Sequence, residues 1–185
     1  MIIGIDEVGR GCLAGPLLAA AVEFDKNTEI PRLRDSKKMT KLQREKAVPL
    51  IQKGAKQFGV GWVWPEEVDS IGLTSAVKLA MQRAVDQLVM TGQKLIIDGN
   101  NNYLEHIAGS SCLIKADDKV PEVAAASVLA KVARDQYMQE MSVKYPGYLF
   151  EKNVGYGTKH HLASLKKLGV TPIHRKSYAP IKAVI

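Results

Sequence analysis

Short apolar runs separated by glycine-rich turns mark the first part of the chain. Ile2 to Ile5 is one such run and Leu17 to Phe24 another, with Gly9-Arg10-Gly11 and Gly15-Pro16 between them, which predicts strand, loop, strand. Thr40 stands where a helix over the Lys41 to Lys53 region needs its cap, Gly54 lies near that helix's end, and Pro49 predicts a kink or an early stop. Phe58 to Trp64 alternates Gly with Val and Trp and reads as a third strand closed by Pro65. From Thr74 to Met90 the apolar positions Ala76, Val77, Ala80, Met81, Ala84, Val85, Leu88 and Val89 recur at helical spacing. Lys94 to Asp98 is a short buried-type strand closed by Gly99 and three Asn, and Cys112 to Lys115 a further strand. Pro121 opens a long Ala-rich helix through about Met141, broken at Pro146-Gly147. Thr158 caps a last helix through Leu168, after which Pro172 and Pro180 predict an irregular tail.

This order gives an α/β protein with a mixed sheet flanked by helices over residues 1–143, followed by a small helical subdomain at 144–185. A chain of 185 residues with 46% hydrophobic and 24% charged positions is long enough for a sizeable core. The longest apolar stretch, Leu17 to Val22, is far short of the ~20 residues that span a bilayer, so no membrane segment is expected. Acids at Asp6 and Glu7, where an export signal carries lysines and an apolar core, argue for a cytoplasmic protein. Two cysteines, Cys12 and Cys112, suit a reducing compartment and cannot build a thiolate zinc site. A monomer is the default expectation.

Charge changes the picture because of where it sits. The net +7 lies entirely in residues 144–185, which hold eight Lys and Arg against the single acid Glu151, while residues 1–143 balance at 18 against 18. A basic segment on a neutral body is suited to polyanions, since cations beside phosphates release condensed counterions. A solvated, solubilising face is the alternative. Three of the four histidines, His160, His161 and His174, share this segment and read as phosphate-facing or helix-end residues, because no acid or thiol completes a zinc set.

Acids end the strands. Asp6 and Glu7 close the first, Asp98 the Leu95-Ile96-Ile97 run, and Asp117-Asp118 follow the Cys112 to Lys115 segment. An acid at the tip of a buried strand is drawn toward low dielectric, where an unpaired carboxylate is costly. Oxygen-only ligands suit Mg²⁺ or Mn²⁺, and a divalent-metal site is the expectation. An Asp after a strand also serves simply as a turn residue, and the residues alone leave that reading open. Gly9-Arg10-Gly11-Cys12-Leu13-Ala14 matches the dinucleotide fingerprint formally, but Gly15-Pro16 and an apolar strand follow where that motif requires a helix. Close backbone approach to a sugar, with Arg10 on a phosphate, is the better use of these glycines.

These residues together resemble one family. Asp6-Glu7-Val8-Gly9-Arg10-Gly11 with Gly15-Pro16, Leu33-Arg34-Asp35-Ser36-Lys37-Lys38, Ile97-Asp98-Gly99, Lys115-Ala116-Asp117, Ala125-Ala126-Ser127 through Arg134-Asp135, Gly155-Tyr156-Gly157-Thr158, His161 and His174-Arg175-Lys176-Ser177-Tyr178 are similar to the motif set of ribonuclease HII. The likeness runs from residue 3 to about 178, and its pieces are specific as a set.

That resemblance implies an RNase H-like fold and an endonuclease that cuts the RNA strand of RNA/DNA hybrids and cuts 5′ of ribonucleotides embedded in duplex DNA, in replication and repair, leaving 3′-hydroxyl and 5′-phosphate ends. It implies Asp6, Glu7, Asp98 and Asp117 as catalytic metal-binding acids holding two Mg²⁺ or Mn²⁺ ions ~4 Å apart. It implies that Gly9, Arg10 and Gly11 read the 2′-hydroxyl and that Tyr156 stacks on the sugar at the RNA-to-DNA junction. Lys37, Lys38, Thr158, His161, Arg175 and the basic segment are implied as further substrate contacts. Val154 and His160 depart from the family's usual Lys and acid, near the expected DNA surface. A junction resolvase of the same fold and a noncatalytic hybrid-binding module are the rivals.

Overall fold

The computed structural model describes residues 1–26, 28 and 39–185. Lys37 and Lys38, expected at the substrate backbone, lie outside them. Five strands form one mixed sheet: β1 (Ile2–Val8), β2 (Leu17–Phe24), β3 (Ala55–Val63), β4 (Lys94–Asp98) and β5 (Ser110–Leu113), in the spatial order β3-β2-β1-β4-β5. β1 pairs antiparallel with β2 and parallel with β4, β2 pairs antiparallel with β3, and β4 pairs parallel with β5. The central position of β1 explains its composition. Ile3 and Ile5 are fully buried, as is every residue of β2, so these strands need apolar residues on both faces.

Helices cover both faces. On one, α2 (Pro65–Val85) buries Ala76, Val77, Ala80, Met81 and Ala84 against Ile3, Ile5, Leu95 and Ile97. On the other, α1 (Lys41–Gly54) and α3 (Pro121–Lys144) bury Ala47, Ile51, Ala125, Ala126 and Leu129 against Ala20, Val22 and Phe24. The run of alanines in α3 allows close approach to the sheet. At Gly4 the approach is so tight that an added Cβ would strike the Val123 amide, which makes glycine obligatory there. Three short helices follow: α4 (Phe150–Asn153), α5 (Lys159–Leu168) and α6 (Ala179–Lys182). A third core joins Leu13, Ala14 and Met138 to Tyr148, Phe150, Leu165, Ile173 and Ile181, so residues 144–185 share apolar contacts with the body.

The elements depart from expectation in physically informative places. α2 begins at Pro65, nine residues before Thr74, because Pro65 and the Glu67 carboxylate, which accepts from the Trp64 N–H, start a helix ahead of the apolar periodicity. Gly72, at φ 77°, then interrupts it. β5 stops at Leu113, since Lys115 adopts a left-handed conformation (φ 57°) that begins the 3₁₀ turn Ala116–Asp118. Pro49 does not end α1, which runs on to Gly54; on its exposed face water can take the carbonyl bond that proline cannot form. The tail carries α6 where two prolines predicted irregular chain.

Thr40 forms the expected cap and more. Its Oγ1 accepts from the Gln43 N–H at 3.2 Å while Gln43 Oε1 accepts from the Thr40 N–H at 2.8 Å, a reciprocal box. Thr40→Ala is expected to cost about 1 kcal/mol and lower the melting temperature by about 3 °C. A melting curve superimposable on the parent would show that α1 does not depend on its cap.

Candidate active site

The parallel pairing of β1 and β4 sets the acids side by side. Ile5 is level with Ile97, so the next residues, Asp6 within β1 and Asp98 at the end of β4, stand on neighbouring strands, whose spacing is about 4.8 Å. Alternation along β1 sends Asp6 and Glu7 in opposite directions. Asp6 turns toward α3, where Ser127 hydrogen-bonds its carboxylate, and its Oδ1 accepts the Glu7 N–H at 2.8 Å. Glu7 Oε1 meets Arg10 Nη1 at 3.2 Å. Asp98 Oδ1 accepts the Ala116 N–H at 2.7 Å and thereby ties the strand tip to the 3₁₀ turn.

Burial dominates the electrostatics. It pushes the Asp6 carboxyl up to about 8, with the negative charges of Glu7 and Asp98 adding to the rise and the Ser127 hydrogen bond opposing it. Glu7 is pushed up by burial as well, and the Arg10 guanidinium pulls it partly back.

Asp6, Glu7 and Asp98 line a pocket of about 290 Å³ together with Val8, Gly9, Arg10, Gly11 and Tyr156. Asp117 is not on its wall; it is buried in the 3₁₀ turn, one residue beyond the Ala116 amide that Asp98 binds. Among the described residues no three His, Cys, Asp or Glu side chains stand close enough to clasp a metal unaided. Of the four expected acids, Asp6, Glu7 and Asp98 line the pocket and Asp117 does not.

The glycine loop forms the pocket's rim. Gly9, at φ 92°, fits against the Arg134 side chain. Gly11 differs: a Cβ built on it meets no atom within 4 Å, and its backbone lies outside the left-handed region. Neither packing nor conformation requires glycine there. Arg10 projects half-exposed, bonded to Glu7 and to the Tyr103 hydroxyl at 3.2 Å.

Three further wall residues escaped the sequence reading of roles: Arg44, Ser127 and Lys131. Asp135 holds Lys131 Nζ at 2.6 Å and lies 3.9 Å from Arg44 Nη2, so two cations that line the pocket share one carboxylate. The Ser127-x-x-x-Lys131 spacing inside an alanine-rich helix was the available signal, because i and i+4 share a face.

Two expected substrate contacts are corrected. Arg175 is fully buried, and its guanidinium donates to the carbonyls of Gly15 and Arg10 and to the Tyr178 hydroxyl, so it holds the glycine loop and cannot reach a phosphate. His161 is fully buried too, against Tyr156 O and His174, and His174 shares that burial. Unsatisfied loop carbonyls inside the protein consumed the donors that composition alone assigned to the surface. Thr158 is exposed at the N-terminus of α5, where its Oγ1 accepts the His161 N–H at 3.2 Å. Tyr156 stays 40% exposed at the rim, paired through its backbone with Cys12.

A family profile described as Ribonuclease HII matches residues 3–181 of this chain. The chain belongs to the ribonuclease HII family. It is 46% identical over 185 residues to the Ribonuclease HII of Enterococcus faecalis, covering all of this chain and 72% of that protein. Against the Ribonuclease HII of Staphylococcus carnosus the identity is 45%, over the whole chain and 70% of the relative. The ribonuclease H2 crystal structure from Pyrococcus horikoshii superposes with a TM-score of 0.83 at 26% identity, covering 99% of this chain and 96% of that one. The RNase H-like fold follows from this match, and ribonuclease HII membership makes the chain a ribonuclease H, a metal-dependent endonuclease acting on RNA/DNA hybrids.

The pocket of this ribonuclease HII fits a hard divalent cation. Asp6, Glu7 and Asp98 line it with Arg10 engaged on Glu7, and burial, with the neighbouring charges of Glu7 and Asp98, pushes the Asp6 carboxyl up to about 8. Too few preformed ligands for a closed cage suits Mg²⁺ or Mn²⁺, which keep open positions for water and phosphate oxygens. Binding such a cation must expel the Asp6 proton. Affinity for Mn²⁺ is therefore expected to rise with pH up to about 8, by as much as about tenfold per unit, with proton release visible in calorimetry across buffers of different ionisation enthalpy. Equal affinity at pH 6 and pH 8 would reject the link.

Proposed function

We propose that this ribonuclease HII, besides cutting the RNA strand of hybrids, cuts 5′ of single ribonucleotides embedded in duplex DNA and leaves 3′-hydroxyl and 5′-phosphate ends. The observation that carries the reading is Gly11: a bare backbone position on the rim of an acid-lined pocket, glycine for no structural reason. Its amide and that of Gly9 can approach a ribose closely, and a 2′-hydroxyl, donor and acceptor at once, separates RNA from DNA there. Arg10, already beside Glu7, adds a charge for the adjoining phosphate.

Asp6, Glu7 and Asp98 hold the cations, Mg²⁺ or Mn²⁺, and Asp117 serves as a fourth acid through the turn that Asp98 anchors. A cation held by these residues would contribute Lewis acidity and lower the pKa of a water, the chemistry that phosphodiester hydrolysis needs. Lys131 and Arg44, which line the same pocket, receive phosphates, and Lys37, Lys38 and the exposed lysines of residues 144–185 extend the backbone contacts. Tyr156 meets the sugar on the DNA side of the junction. The enzyme works as a cytoplasmic monomer in replication and repair; its two free cysteines agree with a reducing compartment.

Incubation with a hybrid, a duplex carrying one ribonucleotide and a ribonucleotide-free duplex, each with Mg²⁺, Mn²⁺ or chelator, tests this. Cuts are expected on the first two alone, with metal, and 5′ of the lone ribonucleotide on the second. Cleavage of the ribonucleotide-free duplex would point to a DNA nuclease, and tight binding without any cut to a noncatalytic module.

A further inference from the structure

Outside the pocket, one buried cluster has its protons fixed by its own geometry. His161 and His174 are 0% and 1% exposed, and their Nε2 atoms lie 3.0 Å apart. His161 Nδ1 is 2.9 Å from the Tyr156 carbonyl oxygen, which can only accept, so Nδ1 carries a hydrogen. The Thr171 N–H donates to His174 Nδ1 at 2.8 Å, and the Thr171 hydroxyl lies 2.8 Å from the same atom, so that nitrogen offers a lone pair. A neutral imidazole has one hydrogen, which in His174 must then be on Nε2, donating to the bare Nε2 of His161. The result is a directed chain: Thr171 amide to His174, His174 to His161, His161 to the Tyr156 carbonyl.

Adding a proton to either ring leaves two donors facing each other, and the aromatic rings of Tyr148 and Phe150 packed around the pair offer no charge partner. Burial accordingly pushes His174 down to about 4, with His161 adding to the shift, and pushes His161 down as well. Two apolar rings would fill this volume at less cost in desolvation. What they would lack is a second donor on the Tyr156 carbonyl, which the Thr158 N–H meets at 2.8 Å from within the loop and His161 from the core; Tyr156 itself lines the pocket. The far side of Tyr156 is held by Cys12, through a backbone bridge and through a hydrogen bond between hydroxyl and thiol.

We propose that His161 and His174 are positioning residues, a proton-ordered relay that locks the Tyr156 peptide plane and so sets the Tyr156 ring against the sugar at the pocket mouth. Fully satisfied buried networks of this kind rigidify what they touch. The proposal rests on the reading of Tyr156 given above.

Nitrogen-15 spectroscopy of the histidine rings in the whole protein at neutral pH tests the relay without any substrate. His161 is expected as the Nδ1–H tautomer and His174 as the Nε2–H tautomer, both uncharged; the opposite pairing or a charged ring overturns it. The functional half uses His161→Leu, which fills the space without donating, and His161→Asn, whose amide N–H falls near the position of Nδ1. The readout is the ratio of kcat/KM on a single-ribonucleotide duplex to that on an all-RNA hybrid, taken well below melting. His161→Leu is expected to lower the ratio about tenfold, and His161→Asn to recover most of it. Tyr156→Ala runs in parallel. A ratio altered by Tyr156→Ala but untouched in folded His161→Leu overturns the relay and leaves Tyr156 in its role; a ratio untouched by Tyr156→Ala overturns both.

Discussion

Asp98→Asn is expected to fold as stably as the parent and to lose turnover on an RNA/DNA hybrid by about 10²- to 10⁴-fold, the size of several kcal/mol of metal-borne transition-state stabilisation. The two halves of this expectation come from different atoms. Asp98 Oδ1 accepts the Ala116 N–H at 2.7 Å. An asparagine carbonyl offers the same acceptor at the same place, so the anchor of the 3₁₀ turn survives. What disappears is a negative charge beside Asp6 and Glu7, both of which feel Asp98 as a repulsive neighbour. In the metal-free protein that removal is neutral or mildly favourable. With metal present it takes away one of the three acids that line the pocket. The measurement is kcat with saturating Mg²⁺ beside a thermal melt in chelator. Turnover within about threefold of the parent would mean that Asp98 is only a turn residue, and a collapsed melt would mean that its charge is structural.

The largest effect on stability is expected at Arg134, in α3. Its side chain is fully buried and donates to three carbonyls from separate stretches: Nε to Pro16 O at 2.8 Å, Nη1 to Val154 O at 2.7 Å and Nη2 to Ala14 O at 3.0 Å. Arg134→Met keeps much of the volume and supplies no donor. Three buried carbonyls would be left wanting, for a loss of about 3–5 kcal/mol out of the 5–15 kcal/mol typical of a domain. In a chain of this size that lowers the melting temperature by about 10 °C. Arg134→Lys should fall little short of this, since an ammonium cannot serve three divergent acceptors at fixed angles. Calorimetry decides it, and a shift under about 2 °C would show that water replaces the guanidinium.

The parts of the molecule that the sequence displayed clearly are those where a single local rule operates. The apolar runs Ile2 to Ile5 and Lys94 to Asp98 fall in the two adjacent parallel strands that place Asp6 beside Asp98, although β1 continues through both of its acids to Val8. Thr40 and Thr158 cap the helices expected of them. Legibility failed where long-range packing decides. Nothing near Lys115 announces the left-handed residue that follows β5 and begins the 3₁₀ turn in which Asp117 is buried. The basic character of residues 144–185 led to the expectation of a surface for anions. It said nothing about direction, and Arg175 points inward because Gly15 and Arg10 leave carbonyls there that no strand partner takes. Arg44 came to the pocket from a helix whose sequence carries no motif, by the packing of α1 on α3.

The third apolar core has a consequence for how the molecule comes apart. Leu13 and Ala14 from the glycine loop and Met138 from α3 interlock there with Phe150, Leu165 and Ile181. Amide exchange should consequently report one common opening free energy for the loop and for the tail helices α4 and α5. The tail cannot be swapped or clipped as an independent module, and a protease nick within it would disable the pocket's rim at the same time.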